Sequence, residues 1–235
     1  MTPLRIFIGY DSREPIAYHV LAHSILRRAS IPVAITPLVQ NQLRRGPNPL
    51  YWRERGPTES TEFSLTRFLV PYLSGYEGIS VFMDCDMLCR VDIAKLLDAV
   101  LHTNKGLGAW SVACCQHDYA PRPDRKFLGQ PQTTYPRKNW SSLMVFHNNS
   151  CRTLTPEYVN TASGLELHRL NWVHYDWEIL SLPIEWNWLV GEYESGGEDA
   201  HILHYTLGGP WFPEYARCDY ALEWHAERVS MVRCG

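Results

Sequence analysis

The segment 79–88 constrains the chain most, because an apolar run of strand length ends in two acids separated by one residue. Side chains alternate along an extended backbone, so Asp84 and Asp86 are predicted to project from one face just beyond the strand. Cys85, between them, is predicted to turn inward. Carboxylate oxygens suit Mg²⁺ or Mn²⁺, and a cation with few protein ligands keeps positions open for water and substrate phosphates.

A structural explanation of the same acids competes with the metal hypothesis. Asp-x-Asp is short enough to occur by chance, and acids at strand ends also cap helices or close turns. The position after an apolar strand favours a ligand site, since ligands of open α/β sheets bind beyond the carboxyl ends of the strands. The acid pair alone leaves both interpretations open.

Strands alternate with helices along the rest of the chain, which predicts a layered, mostly parallel α/β sheet in a single domain over residues 1–235. A polar loop is expected at 41–59, and the long segment 116–139 is a candidate acceptor-binding loop. Strands are predicted at 5–9, 33–36, 108–113 and 143–146, with one that begins at 79 and ends at Asp84 and a short one that begins at 202 and delivers His204. Helices are predicted at 15–28, 60–73 and 92–101, and a short helix or turn at 175–182.

Composition excludes several classes of protein. With 235 residues, 45% of them hydrophobic, the chain can bury a substantial core. The formal net charge of -3 gives no general reason to bind nucleic acid or an anionic membrane. No apolar stretch is long enough to span a bilayer, and the first residues lead into a strand without a signal-peptide pattern, so a cytoplasmic protein is expected. Seven cysteines without a CxxC pair favour reduced thiols over disulfides.

The end of the first predicted strand carries a second group of candidate site residues. Gly9 permits close backbone approach, Tyr10 offers a ring for base stacking, and Asp11 offers acceptors to a base or ribose. The alternative is that Asp11 only caps the helix that follows. No GxGxxG follows the strand, so the pattern indicates a nucleotide site without the dinucleotide fingerprint.

A third group follows the predicted strand that begins at residue 202. This strand delivers His204, and the backbone N–H groups of Gly208 and Gly209 are free to approach phosphate oxygens. The imidazole is a suitable ligand to complete the coordination begun by Asp84 and Asp86. Taken alone, a histidine in such a strand is more often structural.

These motifs, in this order, resemble those of the GT-A nucleotide-sugar glycosyltransferases. The resemblance is closest to family 8, which includes glycogenin and bacterial lipopolysaccharide galactosyltransferases, and it extends from Ile6 to Trp211. It implies a GT-A (Rossmann-like) layered sheet flanked by helices. The matching motifs are Gly9-Tyr10-Asp11, Arg67 within 64–72, Asp84-Cys85-Asp86, Asp176 within 175–180, and His204 through Trp211.

The resemblance implies metal-dependent transfer of a sugar, with a hexose and a UDP-sugar donor favoured, to an acceptor hydroxyl with retention at the anomeric carbon. The acceptor is open among a glycan, a lipid, a protein and a small molecule. Two alternatives remain: a sugar-nucleotide-binding module without turnover, and a metal-dependent nucleotidyl or phosphoryl transferase.

The same resemblance assigns roles to individual residues. Asp84, Asp86 and His204 would hold Mn²⁺ or Mg²⁺, and Asp176 and Glu178 would be the catalytic carboxylates near the donor sugar. Trp177 and Trp211 are the best candidates for stacking on sugar rings. The nucleotide-sugar-binding residues would be Gly9, Tyr10, Asp11, Arg67, Asp84, Cys85, Ser141, Gly208 and Gly209.

Three departures from the family pattern accompany these assignments. The family motif His-x-x-Gly-x-x-Lys-Pro-Trp is one residue shorter here and has Gly209 in place of lysine, so Arg67, Lys138 or a loop arginine is expected to supply the missing cation. The family's Asp-Gln-Asp appears as Asp176-Trp177-Glu178. Its Asn-x-Gly is roughly replaced by Ser141-Ser142-Leu143.

Overall fold

The computed structural model describes residues 2–56, 59–104, 110–118 and 137–232. The strands are β1 Leu4–Gly9, β2 Val33–Leu38, β3 Ile79–Met83, β4 Met87–Cys89, β5 Val112–Cys115, β6 Leu143–His147, β7 Ile179–Leu182, β8 Trp188–Leu189 and β9 Ile202–His204. The α-helices are α1 Pro15–Arg28, α2 Gln40–Leu43, α3 Val70–Leu73, α4 Ala94–Asn104, α5 Pro156–Thr161, α6 Gly164–His168 and α7 Ala221–Val232. Short 3-10 segments cover Thr66–Leu69, Trp140–Ser142, Asn148–Ser150, Asp176–Glu178, Ile184–Asn187, Gly197–Asp199 and Pro213–Tyr215.

Six strands form the main sheet in the order β2-β1-β3-β6-β5-β7. The pairs β1/β2, β1/β3 and β5/β7 are parallel, whereas β6 runs antiparallel to both of its neighbours. Helices flank this sheet, and the predicted layered, mostly parallel GT-A architecture is confirmed. Because β6 lies beside β3, the start of β6 lies next to the acid pair that ends β3.

A second, three-stranded sheet has the order β4-β9-β8. Met87 of β4 lies opposite His204 of β9 in antiparallel register, and Leu189 of β8 lies beside His204 in parallel register. The sequence did not indicate β4 or β8, because strands of two or three residues are too short to show a period. This small sheet brings His204 next to the acid pair.

Helix α1 matches its predicted bounds. Pro15 occupies its first turn, where the missing N–H costs no hydrogen bond. One face of the helix is buried and packs against β4 and α7. At its C-terminal end, Arg28 donates to Glu227 of α7.

The predicted helix at 60–73 is wrong in part. Bends and turns occupy 61–65, followed by the 3-10 segment and the single turn of α3. Phe63, Leu65 and Phe68 are all buried in the core, although their spacing would place them on different sides of a helix. An amphipathic helix with one apolar stripe cannot bury all of these side chains, so tertiary packing overrides helix propensity.

Other bounds differ less. The start of the predicted loop 41–59 belongs to α2. The expected short helix or turn at 175–182 is a 3-10 turn followed by β7. Strand β2 continues to Leu38 through Pro37, which is tolerated because β2 lies at the edge of the sheet. Asp92 caps α4 as predicted, accepting from the backbone N–H of Ala94 at 3.0 Å. The C-terminal helix α7 was not predicted.

Candidate metal centre

The predicted metal ligands Asp84, Asp86 and His204 come together in the structure. Each offers one ligand atom, and these atoms lie within 4.8 Å of one another. The loop after β3 is fixed on both sides, because the N–H of Asp84 donates to the Ser142 carbonyl at 2.9 Å and the carbonyl of Asp86 accepts from Tyr205 N–H at 2.9 Å. The backbone therefore sets the position of both carboxylates.

The chemistry of these three groups fits a divalent cation. Asp84 Oδ1 and Asp86 Oδ1 are buried and accept no hydrogen bond from the described residues. Asp84 Oδ1 lies 2.8 Å from Arg67 Nη1, and Asp86 Oδ1 lies 3.3 Å from His204 Nε2. Two carboxylates with open acceptor capacity and one imidazole form a ligand set that suits Mn²⁺ or Mg²⁺.

Burial and mutual repulsion set the ionisation of the centre. Burial raises the pKa of Asp84 to about 6, with Asp86 adding to the rise and Arg67 opposing it. For His204, burial lowers the pKa, but the Asp86 and Asp84 carboxylates outweigh it and the net pKa is raised. Burial thus disfavours the ionised form of Asp84, and a cation bound beside it would favour that form.

Arg67 lies behind Asp84 and is largely engaged by the protein itself. In addition to its ion pair with Asp84, Nη1 donates to the Ser141 carbonyl at 2.8 Å. The guanidinium also lies over the rings of Phe63 and Phe82, at 5.3 and 4.8 Å from their centroids. These contacts fix Arg67 in a single orientation.

A pocket of about 490 Å³ opens beside the three ligands. Its lining includes residues predicted for the site, and others that the sequence did not single out. The predicted ones are Arg67, Asp84, Asp86, Ser141, His204 and Gly208; those not predicted include Glu14, Asn139, His168, Arg169 and Thr206. The pocket therefore presents carboxylates, cations and hydroxyl groups to one space.

Asp11 lies outside this lining and is fully buried. Its carboxylate accepts from Arg13 Nε at 2.8 Å and Nη2 at 2.6 Å, and from the backbone N–H groups of Arg13 and Glu62 at 3.0 and 3.1 Å. Burial raises the pKa of Asp11, but these hydrogen bonds outweigh it and hold the pKa below its usual value. The carboxylate thus anchors the turn at Glu62, and its contact with a nucleotide stays a prediction.

At each predicted glycine, a side chain would overlap a neighbouring aromatic ring. A Cβ at Gly9 would overlap the Phe63 ring, and one at Gly208 would overlap Tyr215. Gly208 also has a φ of +126°, which L side chains rarely adopt. A Cβ at Gly209 would overlap Trp211. Their contacts with a nucleotide sugar remain predictions.

Tyr10 and Cys85 complete the predicted binding residues. Tyr10 is half-buried and packs edge-on against Tyr18, with ring centroids 5.7 Å apart. Cys85 is buried, as predicted, and its thiol points to Glu14 Oε1 at 3.5 Å. The inward turn of Cys85 leaves its two acidic neighbours on the pocket side.

The structure does not bring the predicted catalytic carboxylates into the described pocket lining. The Asp176 side chain is 86% exposed and pairs with Arg137 Nη2 at 2.7 Å. Glu178 accepts from Ser111 Oγ at 2.8 Å. Arg137 also donates to the carbonyl of Arg169, which does line the pocket, so Asp176 lies two contacts from its rim. Catalytic roles for both carboxylates stay predictions.

The remaining sequence candidates lie in varied surroundings. Trp177 is 58% exposed and stacks on Tyr175, whereas Trp211 donates its indole N–H to Glu14 at 3.2 Å. Lys138 is buried. The predicted acceptor-binding loop 116–139 falls mostly outside the described residues.

Sequence reasoning missed Glu14 and Asn187. Glu14 is 4% exposed and lines the pocket, where burial, followed by the charges of Asp86 and Asp11, raises its pKa to about 9. Asn187 is fully buried and contacts His204. Glu14 precedes Pro15 and resembles an ordinary helix start, and Asn187 belongs to no recognisable motif, so neither residue carried a signal.

The cysteines agree with the expectation of reduced thiols. The six described cysteines are all free, and five of them are buried. None of the described helices combines the length and apolar character needed to cross a bilayer.

Solved structures with the same fold are glycosyltransferases. The bifunctional glycosyltransferase WbbM is 16% identical with a TM-score of 0.62, covering 97% of this chain and 52% of WbbM. GlyE of Streptococcus pneumoniae TIGR4 is 14% identical with a TM-score of 0.63, covering 97% and 61%. The galactosyltransferase LgtC, solved with donor and acceptor sugar analogues, is 11% identical with a TM-score of 0.58, covering 99% and 98%. The chain thus has the GT-A glycosyltransferase fold, and it spans about half of WbbM, 52%.

Sequence comparison identifies a much nearer relative. No family model matches the chain. Protein CDI of Arabidopsis thaliana is 47% identical over 228 residues, which cover 94% of this chain and 85% of that protein. The chain, which has the GT-A glycosyltransferase fold, therefore belongs to the same protein family as Arabidopsis Protein CDI.

Proposed function

We propose that this protein is a metal-dependent glycosyltransferase that moves a sugar from a nucleoside diphosphate sugar to an acceptor hydroxyl. The observation that carries the proposal is the cluster of Asp84, Asp86 and His204 at the wall of the 490 Å³ pocket, in a GT-A fold. The motif resemblance to family 8 supports a UDP-hexose as donor and retention at the anomeric carbon. The acceptor is a glycan, a lipid, a protein or a small molecule.

Asp84, Asp86 and His204 would hold Mn²⁺ or Mg²⁺. When bound, such a cation neutralises the charge that develops on a diphosphate leaving group. Arg67 holds Asp84 in place through its 2.8 Å ion pair, and Gly208 allows the backbone of the pocket wall to approach a ligand closely. Arg169, at the pocket wall, is a loop arginine that would supply positive charge where Gly209 replaces the family's lysine.

The sugar end of the reaction is assigned to Asp176 and Glu178. In a retaining reaction without a protein nucleophile, a carboxylate near the anomeric carbon would stabilise positive charge on the sugar. The exposed Asp176 is joined through Arg137 to the pocket residue Arg169. The free, mostly buried cysteines support a reducing compartment, and hence the proposed cytoplasmic location.

A sugar-nucleotide-binding module without turnover is a second candidate. Two observations favour it: Gly209 stands where the family has lysine, and neither Asp176 nor Glu178 belongs to the described pocket lining. Such a module would bind donor in the presence of metal but release no nucleoside diphosphate.

The deciding experiment incubates purified protein with a panel of nucleotide sugars, with and without Mn²⁺. Release of nucleoside diphosphate and donor binding by calorimetry are measured on wild type, Asp84→Asn/Asp86→Asn, and the matched control Asp98→Asn on the exposed face of α4. We expect metal-dependent release that only the double variant loses.

The other outcomes separate the alternatives. Metal-dependent binding without release, across a screen of acceptors, would favour the binding module. Cleavage within the phosphate chain would favour a nucleotidyl or phosphoryl transferase. Absence of any metal-dependent donor binding would contradict the proposed site.

A further inference from the structure

Asn187 occupies a central position behind the candidate metal centre. It ends the 3-10 segment Ile184–Asn187, immediately before β8, and is fully buried. Its Oδ1 lies 2.9 Å from Nδ1 of His204, the ring nitrogen opposite the one that faces Asp86. The amide therefore contacts the candidate ligand from the side away from the metal position.

We propose that Asn187 is a positioning residue that holds His204 with Nδ1 protonated and Nε2 directed at a cation bound by Asp84 and Asp86. This inference rests on the proposed metal-dependent function. An amide oxygen only accepts, so the 2.9 Å contact requires the proton on Nδ1 and leaves Nε2 as the ligand atom of the neutral ring. Histidine ligands in metal sites commonly donate their second N–H to such a partner, which fixes both tautomer and ring orientation.

The orientation of the Asn187 amide is itself determined by its other contacts. Its Nδ2 donates to Ser142 Oγ at 2.8 Å and faces His117 Nε2 at 3.0 Å. Because Ser142 Oγ donates its single proton to the Asn139 carbonyl at 2.7 Å, it accepts from Asn187, and the amide nitrogen must be on this side. Burial lowers the pKa of His117 to about 3, so this ring is neutral, and its Nδ1 lies 2.6 Å from the Tyr193 hydroxyl. Exchanging the amide oxygen and nitrogen would place a donor against His204 Nδ1 and an acceptor against these groups.

The same amide joins the two sheets at the centre. Ser142, which accepts from Asn187, also accepts the backbone N–H of Asp84 through its carbonyl at 2.9 Å. Asn187 therefore links His204 of the small sheet to the segment that positions Asp84 in the main sheet. This arrangement sets the distance between the imidazole and the first carboxylate before a cation arrives.

Two variants separate a positioning role from simple packing. Asn187→Asp keeps an oxygen acceptor for His204 Nδ1, whereas Asn187→Leu keeps a similar volume and removes every polar contact. Tyr193→Phe is the matched control, because it removes one hydroxyl from the far end of the same hydrogen-bonded chain. Mn²⁺ affinity of the full chain is measured by calorimetry without any sugar nucleotide.

We expect Asn187→Leu to weaken Mn²⁺ binding by about 10- to 100-fold, Asn187→Asp to retain affinity within about fivefold, and Tyr193→Phe within about twofold. A second measurement, ¹⁵N NMR of the histidine rings in the metal-free protein at a pH where His204 is neutral, reads the tautomer directly. The Nδ1–H form is expected in wild type and Asn187→Asp, with His204→Gln identifying the signal.

The outcomes distinguish this inference from the proposed function. If wild type binds no Mn²⁺, the proposed function fails, while the tautomer measurement still tests the role of Asn187. If wild type and Asn187→Leu bind Mn²⁺ equally, or if His204 carries its proton on Nε2 in wild type, the positioning role is overturned alone. If Asn187→Leu does not fold, the test rests on Asn187→Asp. A loss of Mn²⁺ affinity of about 10- to 100-fold in Asn187→Asp would then overturn the positioning role.

Discussion

The indole N–H of Trp211 donates to Glu14 Oε2 over 3.2 Å and so ties the loop after His204 to the start of α1. The other carboxyl oxygen of Glu14 accepts from the Cys85 thiol, between the two candidate metal ligands. One buried carboxyl group therefore connects three segments that are far apart in the sequence. Its burial, more than its neighbours' charges, raises its pKa to about 9.

Replacing Glu14 by glutamine should flatten the pH dependence of stability. The unfolded carboxyl group ionises near pH 4.5, whereas the folded one keeps its proton to about pH 9, so the free energy of unfolding of wild type falls as pH rises through this window. The loss by pH 7 is on the order of 3 kcal/mol. Glu14→Gln is neutral at every pH, so its free energy of unfolding does not show this loss. Urea unfolding of metal-free protein between pH 4 and 9 measures both curves, and the exposed Glu157→Gln should follow wild type. Parallel curves for Glu14→Gln and wild type would refute the assignment.

Arg67→Lys should be markedly destabilising although it conserves charge. A lysine cannot contact Asp84 and the Ser141 carbonyl together while keeping the guanidinium's position over the rings of Phe63 and Phe82. We expect a loss of about 2–4 kcal/mol in the free energy of unfolding, and a larger loss for Arg67→Met, which leaves Asp84 without its cation. Chemical denaturation checks this, with the exposed Arg45→Lys expected within about 0.5 kcal/mol of wild type. A stable Arg67→Lys would show that the ion pair contributes little.

Asp176→Asn tests the catalytic assignment without disturbing the fold. The carboxylate is 86% exposed, so the free energy of unfolding should stay within about 0.5 kcal/mol of wild type. If Asp176 stabilises charge on the donor sugar, kcat should fall by about 100-fold or more while KM for the donor changes little. Steady-state kinetics measure this split, and Glu178→Gln is assayed alongside. Arg137→Gln is the control, because it breaks the same ion pair but keeps the Asp176 carboxylate. An unchanged kcat in Asp176→Asn would show that Asp176 has no part in the mechanism.

Glu227→Gln should weaken the contact between α7 and α1 in an acid-dependent way. Glu227 is buried, and its hydrogen bonds with Arg28 at 2.8 Å and His23 at 2.7 Å outweigh burial and hold its pKa below the usual 4.5. Its stabilisation is therefore present above pH 4.5 and lost as pH falls through the lower folded pKa. We expect a loss of about 2 kcal/mol at pH 7 that shrinks toward zero in acid.

Urea denaturation of wild type and Glu227→Gln from pH 3 to 7 measures this convergence. Glu223→Gln, which breaks the more exposed pair with Arg90, should cost less than about 1 kcal/mol. A constant difference between wild type and Glu227→Gln across this range would contradict the pKa assignment.

The short-range order of the chain was predictable from its residues. The apolar strand β3 and the acid pair directly after it were predicted from residues next to one another in the sequence, and α1 begins at Pro15 with its apolar residues on one side. Cys85 is buried as predicted, although residues 85–86 form a turn and not an extended strand. The histidine at residue 204 was assigned to the same site by motif order, and the structure brings it within reach of both acids. These features depend on a local period or a short motif, and both can be recognised in the sequence alone.

The tertiary structure alone decided which distant side chains serve the centre. Antiparallel insertion of β6 beside β3 places the Ser142 carbonyl on the N–H of Asp84, and strands too short to show a period bring His204 against Asp86. Glu14 and Asn187 became visible through burial and hydrogen bonding, while Asp176 proved to be exposed. Which distant segments pair depends on the order of the strands in the sheet and on core packing, and both depend on contacts throughout the chain. Sequence patterns reflect only residues that are close to one another along the chain.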